Sequence, residues 1–155
     1  MDTKAKDEKY MRMALDEARK ALAMQEVPIG AVVVAGDRIV GRGHNLVETL
    51  ADSTAHAEMQ ALTAAMSTLG GKYLTDCTIY VTVEPCAMCA GAIVYARIKN
   101  VYFGATDLRF GCAGTVHNIA CDPSLNHRAA VHGGILEPEC RALLQAFFAD
   151  KRKKK

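Results

Sequence analysis

Apolar side chains recur three and four residues apart over positions 7–25, which is the spacing of one face of an α-helix. That face comprises Tyr10, Met13, Ala14, Ala18, Ala21 and Leu22, with Glu17 as its polar member. We therefore expect an amphipathic helix that ends before Pro28, because proline cannot continue a helical hydrogen-bond ladder.

The pattern changes after Pro28 to short runs that are typical of β-strands. Residues 29–35 are apolar and rich in β-branched side chains, Gly36-Asp37 is a turn sequence, and residues 38–43 supply a hairpin partner. The same composition predicts further strands at 78–83, 101–104 and 130–136. The first two strands are expected to pair antiparallel.

Helices are predicted between and after these strands. Residues 55–66 are rich in helix formers, with Asp52, Ser53 or Thr54 as the N-cap and Gly70-Gly71 as the end. Another helix is predicted to run through Tyr95 with Pro85 in its first turn, where proline is tolerated. A loop with weak helical pieces is expected over 105–128, and a final helix over 139–151. Strands that alternate with helices predict an α/β layer structure with a mixed sheet.

The composition of the 155 residues, 50% hydrophobic and 23% charged, is that of a soluble globular protein. The longest stretch without Asp, Glu, Lys or Arg, from Met59 to Gly71, is only 13 residues long, which is too short for a membrane span. The first ten residues are highly charged and lack the apolar core of a secretory signal. We expect a cytoplasmic protein with no membrane partner.

Positive charge is concentrated at the C-terminus. Residues 151–155 hold five of the 19 basic residues, so residues 1–150 carry 14 basic and 17 acidic side chains. We interpret residues 1–150 as a single domain and residues 151–155 as a basic C-terminal tail. Such a tail suits contact with a polyanion, and a purely solubilising role is the alternative.

Two short sets of metal-binding side chains begin helices on either side of one predicted strand. His56 and Glu58 lie two residues apart, and Cys86 and Cys89 lie three apart, on one helix face. One intervening strand can bring the two helix starts side by side. An imidazole and two thiolates form a zinc donor set, and the helix dipoles favour ionised thiols.

Three protein ligands leave a fourth tetrahedral position for water, which is typical of catalytic zinc sites. Two thiolates cancel the formal charge of Zn²⁺, so a carboxylate is needed to take the proton of that water. Glu58 is placed to act as general base and then as general acid.

Two other interpretations of these cysteines stay open. A fourth cysteine ligand would close the site into a structural one, and the candidates are Cys77, Cys112 and Cys121. A redox pair of Cys86 and Cys89 is the other, although it leaves His56 and Glu58 without a role.

His-x-Glu followed by Pro-Cys-x-x-Cys is the pattern of the zinc nucleobase deaminases, and the chain resembles the bacterial tRNA-specific adenosine deaminases over nearly its whole length. The matching segments are 26–32, 43–45, 54–58, 80–92, 97–98, 103–105, 107, 111, 113–114, 126–128, 134–136 and 147–148. The resemblance implies a cytidine deaminase-like α/β/α fold with three layers and a five-stranded mixed sheet, usually as a homodimer. It also implies one zinc ion per chain on His56, Cys86 and Cys89, with Glu58 moving the proton.

The resemblance assigns further residues to substrate binding. Asn45 would hydrogen-bond the adenine, and Asp107 would lie near the ribose. The pocket walls would be Val27, Ile29 and Val83. A stacking and phosphate-binding platform would comprise Phe147, Phe148, Lys151 and Arg152. Alternatively, one of the two Phe residues belongs to the core, because adjacent residues on a helix cannot both face the RNA. Three further residues would contact the RNA or, alternatively, stabilise their own loop: Asn126, His127 and Arg128.

The implied reaction is hydrolytic deamination of adenosine to inosine at the wobble position of a tRNA anticodon, by a zinc-activated water with Glu58 as proton shuttle. The bases of an anticodon loop are single-stranded, so they enter a pocket at low cost. One alternative is a deaminase of free guanine, cytidine or deoxycytidylate. The other is a non-catalytic zinc module that binds nucleic acid. The chain departs from the family pattern at Leu46-Val47, Ser53 and Phe110.

Overall fold

A five-stranded mixed sheet lies between two layers of helices in the computed structural model, which describes residues 2–153. The elements are α1 (Thr3–Ala23), β1 (Gly30–Ala35), β2 (Arg38–His44), α2 (Val47–Leu50), α3 (Ala57–Leu69), β3 (Cys77–Val83), α4 (Ala87–Ala96), β4 (Asn100–Ala105), β5 (Ala130–His132) and α5 (Glu137–Lys153). The strand order is β2-β1-β3-β4-β5. Strand β1 pairs antiparallel with β2 and β3, and the β3–β4 and β4–β5 pairs are parallel. The predicted fold class is confirmed.

Both faces of the sheet are covered, which explains why β1 is apolar throughout. Val32 and Val34 pack with Tyr10 and Met11 of α1 on one face. On the other face, Val33 joins the cluster formed by the apolar sides of α3 and α4. A strand buried on both faces needs no polar alternation, because neither set of side chains meets water.

Two glycines of β2 allow α3 to pack directly on the sheet. A Cβ atom on Gly43 would collide with the carbonyl oxygen of Ala57, and one on Gly41 would collide with that of Ala61. The first turn of α3 therefore lies against the β2 backbone. This close approach places the residues around Ala57, which include two predicted site residues, at the edge of the sheet.

The starts of two helices differ from the predicted ones. Helix α3 has His56 as its N-cap rather than one of residues 52–54. The reason is local, because the Asp52 carboxylate accepts hydrogen bonds at 2.8 Å from the backbone and hydroxyl of Thr54 and so forms a turn before the helix. Helix α4 begins at Ala87 with Cys86 as its N-cap, so Pro85 precedes the helix instead of occupying its first turn.

Strand β5 is shorter than the predicted 130–136, because it ends at His132. Gly133 packs against the Phe103 ring and Gly134 adopts a left-handed conformation with a φ of 87°, which turns the chain away from the sheet. The short helix α2 is an element that the pattern did not predict. Residues 106–128, which follow β4, form a loop without the weak helical pieces that were predicted there.

The basic C-terminal residues continue helix α5. Lys151, Arg152 and Lys153 occupy its last turn, where positive charge interacts favourably with the helix dipole. Lys154 and Lys155 of the predicted tail lie outside the described residues. Within residues 2–153, no helix has the length and apolar character to cross a membrane.

Candidate active site

The predicted metal ligands meet where the N-termini of α3 and α4 lie side by side. His56 and Cys86 are the N-caps of these helices, and Cys89 is in the first turn of α4. His56 Nδ1 is 3.6 Å from Cys86 Sγ and 3.5 Å from Cys89 Sγ. The three donor atoms lie within 4.8 Å of one another. Strand β3, which returns the chain from the end of α3 to the start of α4, thus brings the two helix starts side by side, as the spacing predicted.

These distances fit a single tetrahedral zinc ion. Zinc bonds of about 2.3 Å to sulfur and about 2.0–2.1 Å to nitrogen place the two donor types about 3.5 Å apart at a tetrahedral angle. Within the part of the chain that the structure describes, no fourth His, Cys, Asp or Glu joins the group. The arrangement therefore favours three protein ligands with room for a water or substrate atom over a closed structural site.

The two thiols share one proton. A hydrogen bond from Cys89 lowers the pKa of Cys86 to about 4, with a further contribution from His56. The same hydrogen bond, together with burial, raises the pKa of the Cys89 thiol. One ligand is thus ionised at neutral pH, and a cation would displace the remaining proton.

Glu58 lies beside this group and is almost completely buried, with 4% of its surface exposed. Burial raises the pKa of Glu58 to about 7, and the negative charge of Cys86 acts in the same direction. A carboxyl group that titrates near neutral pH can both take up and release a proton during one reaction. This environment suits the predicted role of Glu58 as a proton carrier.

A cavity of about 520 Å³ opens next to the predicted metal ligands. Its lining includes the catalytic candidate Glu58 and all the residues that were predicted to bind the base and ribose, namely Asn45, Val27, Ile29, Val83 and Asp107. The Asn45 side chain is oriented by a hydrogen bond of 3.3 Å from the Val47 backbone to its Oδ1. The cavity is thus apolar on its walls and polar at a few defined points, as expected for a nucleobase pocket.

The predicted RNA-contact residues fall into two groups. Phe147 and Lys151 line the cavity, with the Lys151 ammonium 5.2 Å from the Phe147 ring centre. Phe147 is 7% exposed and Phe148 is 44% exposed, so the adjacent rings do face different surroundings. Arg152 is exposed.

The other group does not line the cavity. Asn126 lines a second cavity at the surface of α3 and α4. The His127 ring donates from Nε2 to the Ile98 carbonyl at 2.7 Å, which fixes the loop to the segment between α4 and β4. Arg128 is exposed. A role of these three residues in RNA binding stays a prediction.

Glu84, which was not predicted as a site residue, is a buried carboxylate that fastens one rim of the cavity. It accepts hydrogen bonds from the backbone of Asp107, Ala113 and Thr115 at 3.0–3.1 Å and from the Thr115 hydroxyl. The loop that carries Asp107 is thereby held against the end of β3. The available signal was an acidic residue that directly follows a strongly apolar strand.

Glu26 holds the opposite rim. Its carboxylate accepts from the backbone of Glu48 at 3.1 Å and from the backbone and hydroxyl of Thr49 at 2.6 Å. Burial opposes ionisation, but these hydrogen bonds hold the pKa of Glu26 below its usual value. The lining residues Gln25, Val47, Glu48 and Phe110 were not predicted as site residues either.

The mixed sheet, the His/Cys/Cys group at two helix starts and the adjacent buried glutamate define a deaminase of the cytidine/deoxycytidylate deaminase superfamily. Residues 5–152 match the MafB19-like deaminase family. A tRNA-specific adenosine deaminase of Bacillus subtilis is 50% identical over 149 residues, which are 96% of this chain and 92% of the relative. The chain belongs to the family of the tRNA-specific adenosine deaminases.

Solved structures agree with this assignment. A structure from a study of A-to-I editing by tRNA:A34 deaminases superposes with a TM-score of 0.84 at 41% identity, covering 87% of this chain and 98% of the other. A guanine deaminase from Nitrosomonas europaea has a TM-score of 0.80 at 25% identity, covering 92% and 84%. The fold is therefore shared with an enzyme for a free base, while the sequence is closer to the tRNA enzymes.

Proposed function

We propose that this protein converts adenosine to inosine at the wobble position of a tRNA anticodon. The observation that carries the proposal is the cavity, where Glu58 and two of the metal ligands, His56 and Cys86, lie together with Asn45. The comparisons support tRNA as the substrate, since the B. subtilis relative is a tRNA-specific adenosine deaminase. The alternative of a non-catalytic zinc module gives the buried Glu58 no function.

We propose that His56, Cys86 and Cys89 hold one zinc ion per chain. When bound, zinc would supply Lewis-acid activation of a water molecule.

None of the six cysteines forms a disulfide, which suits a reducing compartment and supports the cytoplasm as the location.

Glu58 would carry the protons of the reaction. Its carboxylate takes one from the attacking water and delivers it to N1 of the adenine, while the water oxygen bonds to C6. The new hydroxyl group on C6 then gives its proton to the Glu58 carboxylate, which passes it to the exocyclic amino group. The bond between C6 and that nitrogen breaks, ammonia leaves, and the C6 carbonyl of inosine remains. Burial of Glu58 serves this task because it keeps the affinity of the carboxylate for protons high.

The cavity walls would orient the base for this attack. Val27, Ile29 and Val83 supply apolar contacts for the faces and edge of a purine. The Asn45 oxygen accepts from the Val47 backbone, which leaves the amide nitrogen to donate to a ring nitrogen. Asp107, whose backbone donates a hydrogen bond to Glu84, would contact the ribose.

The test is inosine formation by the zinc-loaded protein on an unmodified tRNA with a wobble adenosine. The same tRNA with guanosine at that position is the matched control, and free adenosine, guanine and cytidine are assayed alongside. We expect inosine at the wobble position only and little product from the free compounds. Comparable turnover of a free base or nucleoside would contradict the tRNA assignment.

We propose that the basic C-terminal residues bind the RNA backbone. Deletion of residues 151–155 is expected to weaken tRNA binding and to reduce its salt dependence, because fewer counterions are released. The slope of log K against log salt is negative, and each lost phosphate contact should make it less steep by about 0.7–0.9. Fluorescence anisotropy over a salt series measures this slope. A variant with Lys4 and Lys9 replaced by alanine is the control, and an unchanged slope after the deletion would leave the tail a solubilising role.

We also propose that two copies associate, as the family resemblance implies, and we assign the contact to the exposed surface of α3 and α4. This surface contains a cavity of about 580 Å³ lined by apolar residues such as Met59 and Met66, and the neighbouring Tyr95 ring is 85% exposed. Tyr95→Asp is expected to shift the protein from dimer to monomer in sedimentation equilibrium, whereas Leu22→Asp on α1 should not. A monomeric unaltered protein would contradict the proposal.

A further inference from the structure

The loop after β4 carries two strongly exposed apolar side chains beside the cavity. Leu108 is 80% exposed and Phe110 is 66% exposed. Phe110 lines the cavity together with Asp107, whereas Leu108 does not. An exposed phenyl ring at the mouth of a nucleobase pocket requires an explanation, since in the free protein it contributes little to the core.

The backbone of Phe110 is held firmly although its ring is exposed. The Asp107 carboxylate accepts hydrogen bonds from the backbone of Arg109 at 2.9 Å and of Phe110 at 3.0 Å. The Asp107 backbone in turn donates to the buried Glu84 at 3.1 Å. Because these bonds restrict the loop before any ligand arrives, binding to the ring costs less conformational entropy than binding to a mobile loop.

The same mouth offers both parts of a surface for single-stranded nucleic acid. Phe110 presents an aromatic face, and Lys151 presents a positive charge that lies over Phe147. The neighbouring Arg109 side chain is exposed as well. Aromatic rings that stack on bases, combined with cations that contact phosphates, are the usual means of binding an unpaired strand.

We propose that Phe110 stacks on the base of the nucleotide next to the one whose base enters the cavity. This inference rests on the proposed function, which places a single-stranded anticodon loop over the cavity. A target base in contact with Glu58 leaves its neighbour in the chain outside the cavity, at the level of the mouth. Stacking there favours an adenosine within RNA over a free nucleoside, which has no neighbouring base.

The test combines two alanine substitutions in the protein with two changes in the RNA, and a third protein substitution is added as an aromatic rescue. The protein variants are Phe110→Ala and, as the matched control, Leu108→Ala in the same loop. The substrates are an anticodon stem-loop with a wobble adenosine and two versions of it, each abasic at one of the nucleotides that flank the target. Zinc content is measured for each protein, and kcat and KM are determined separately. Phe110→Trp tests whether another aromatic ring restores the activity.

We expect Phe110→Ala to lower kcat/KM on the intact stem-loop about 5- to 150-fold, mainly through KM, which is the range for loss of one base–aromatic stack. On one of the two abasic RNAs the unaltered protein should show a similar loss, and Phe110→Ala should add little to it, because both changes remove the same contact. Leu108→Ala should behave like the unaltered protein, and Phe110→Trp should retain activity.

Two results would overturn the inference. One is that Phe110→Ala and Leu108→Ala have the same kcat/KM on the intact stem-loop. The other is a loss caused by Phe110→Ala that is the same on all three RNAs, since the ring would then act on the target base or on the loop alone. If the unaltered protein forms no inosine on the intact stem-loop, the proposed function fails and this inference with it.

Discussion

Glu58→Ala is expected to abolish turnover while about one zinc ion per chain remains bound. The substitution removes a proton carrier and none of the three donors that lie within 4.8 Å of one another. General acid–base catalysis typically contributes 10²–10⁴-fold, and this carboxyl group serves two transfers, so we expect a loss of at least about 10³-fold. Inosine formation and metal content by mass spectrometry, measured on the same preparation, test the prediction.

Two further variants test whether the loss comes from proton transfer, from the shape of the side chain or from the change in charge. Glu58→Gln retains the shape of the buried group and should be equally inactive. Glu139→Gln makes the same charge change in the first turn of α5, on an exposed residue, and should retain full activity. Loss of zinc from Glu58→Ala would show that Glu58 is a ligand and that the assignment as proton carrier is wrong.

Cys86→Ala is expected to remove the metal, the activity and much of the stability. Two donors remain, which is too few to hold zinc in competition with water. A ligand present at 100 to 1,000 times its Kd stabilises the folded state by about 2.7–4.1 kcal/mol. For a domain of this size that corresponds to a loss of about 5–16 °C in Tm. Zinc stoichiometry and thermal unfolding with and without added zinc measure both effects.

Cys121→Ala is the matched control for this prediction. Cys121 is also a partly exposed free cysteine, but it does not belong to the donor group. It should retain zinc and unfold at nearly the temperature of the unaltered protein. Unchanged zinc stoichiometry in Cys86→Ala would contradict the assigned ligand set.

The helix starts show how far local sequence signals reach. The spacing of Cys86 and Cys89 placed both thiols on one helix face, and the structure brings them within hydrogen-bonding distance of the His56 ring. The N-cap of α3 was predicted wrongly, because Asp52 is engaged in a turn with Thr54. Which polar side chain caps a helix depends on competition between local hydrogen bonds that have similar energies.

The rims of the cavity show what local signals miss. Glu84 binds backbone groups 23 to 31 residues away, and Glu26 binds groups 22 and 23 residues away. No periodicity or spacing encodes such partners, because they meet only after the strands and helices have packed. The same reason applies to Phe147 and Phe148, whose exposure is decided by how α5 lies on the sheet.

The sequence by itself determined the chemistry: the layered α/β class, the His/Cys/Cys donor set and the glutamate beside it. These follow from hydrophobic periodicity and from ligands that are close together in the chain, both of which are local properties. Only the tertiary structure decided the shape of the cavity, the residues that fasten its two rims and the placement of Phe110 and Lys151 at its mouth. Those features depend on contacts between segments far apart in the chain, whose geometry is set by packing of the whole core.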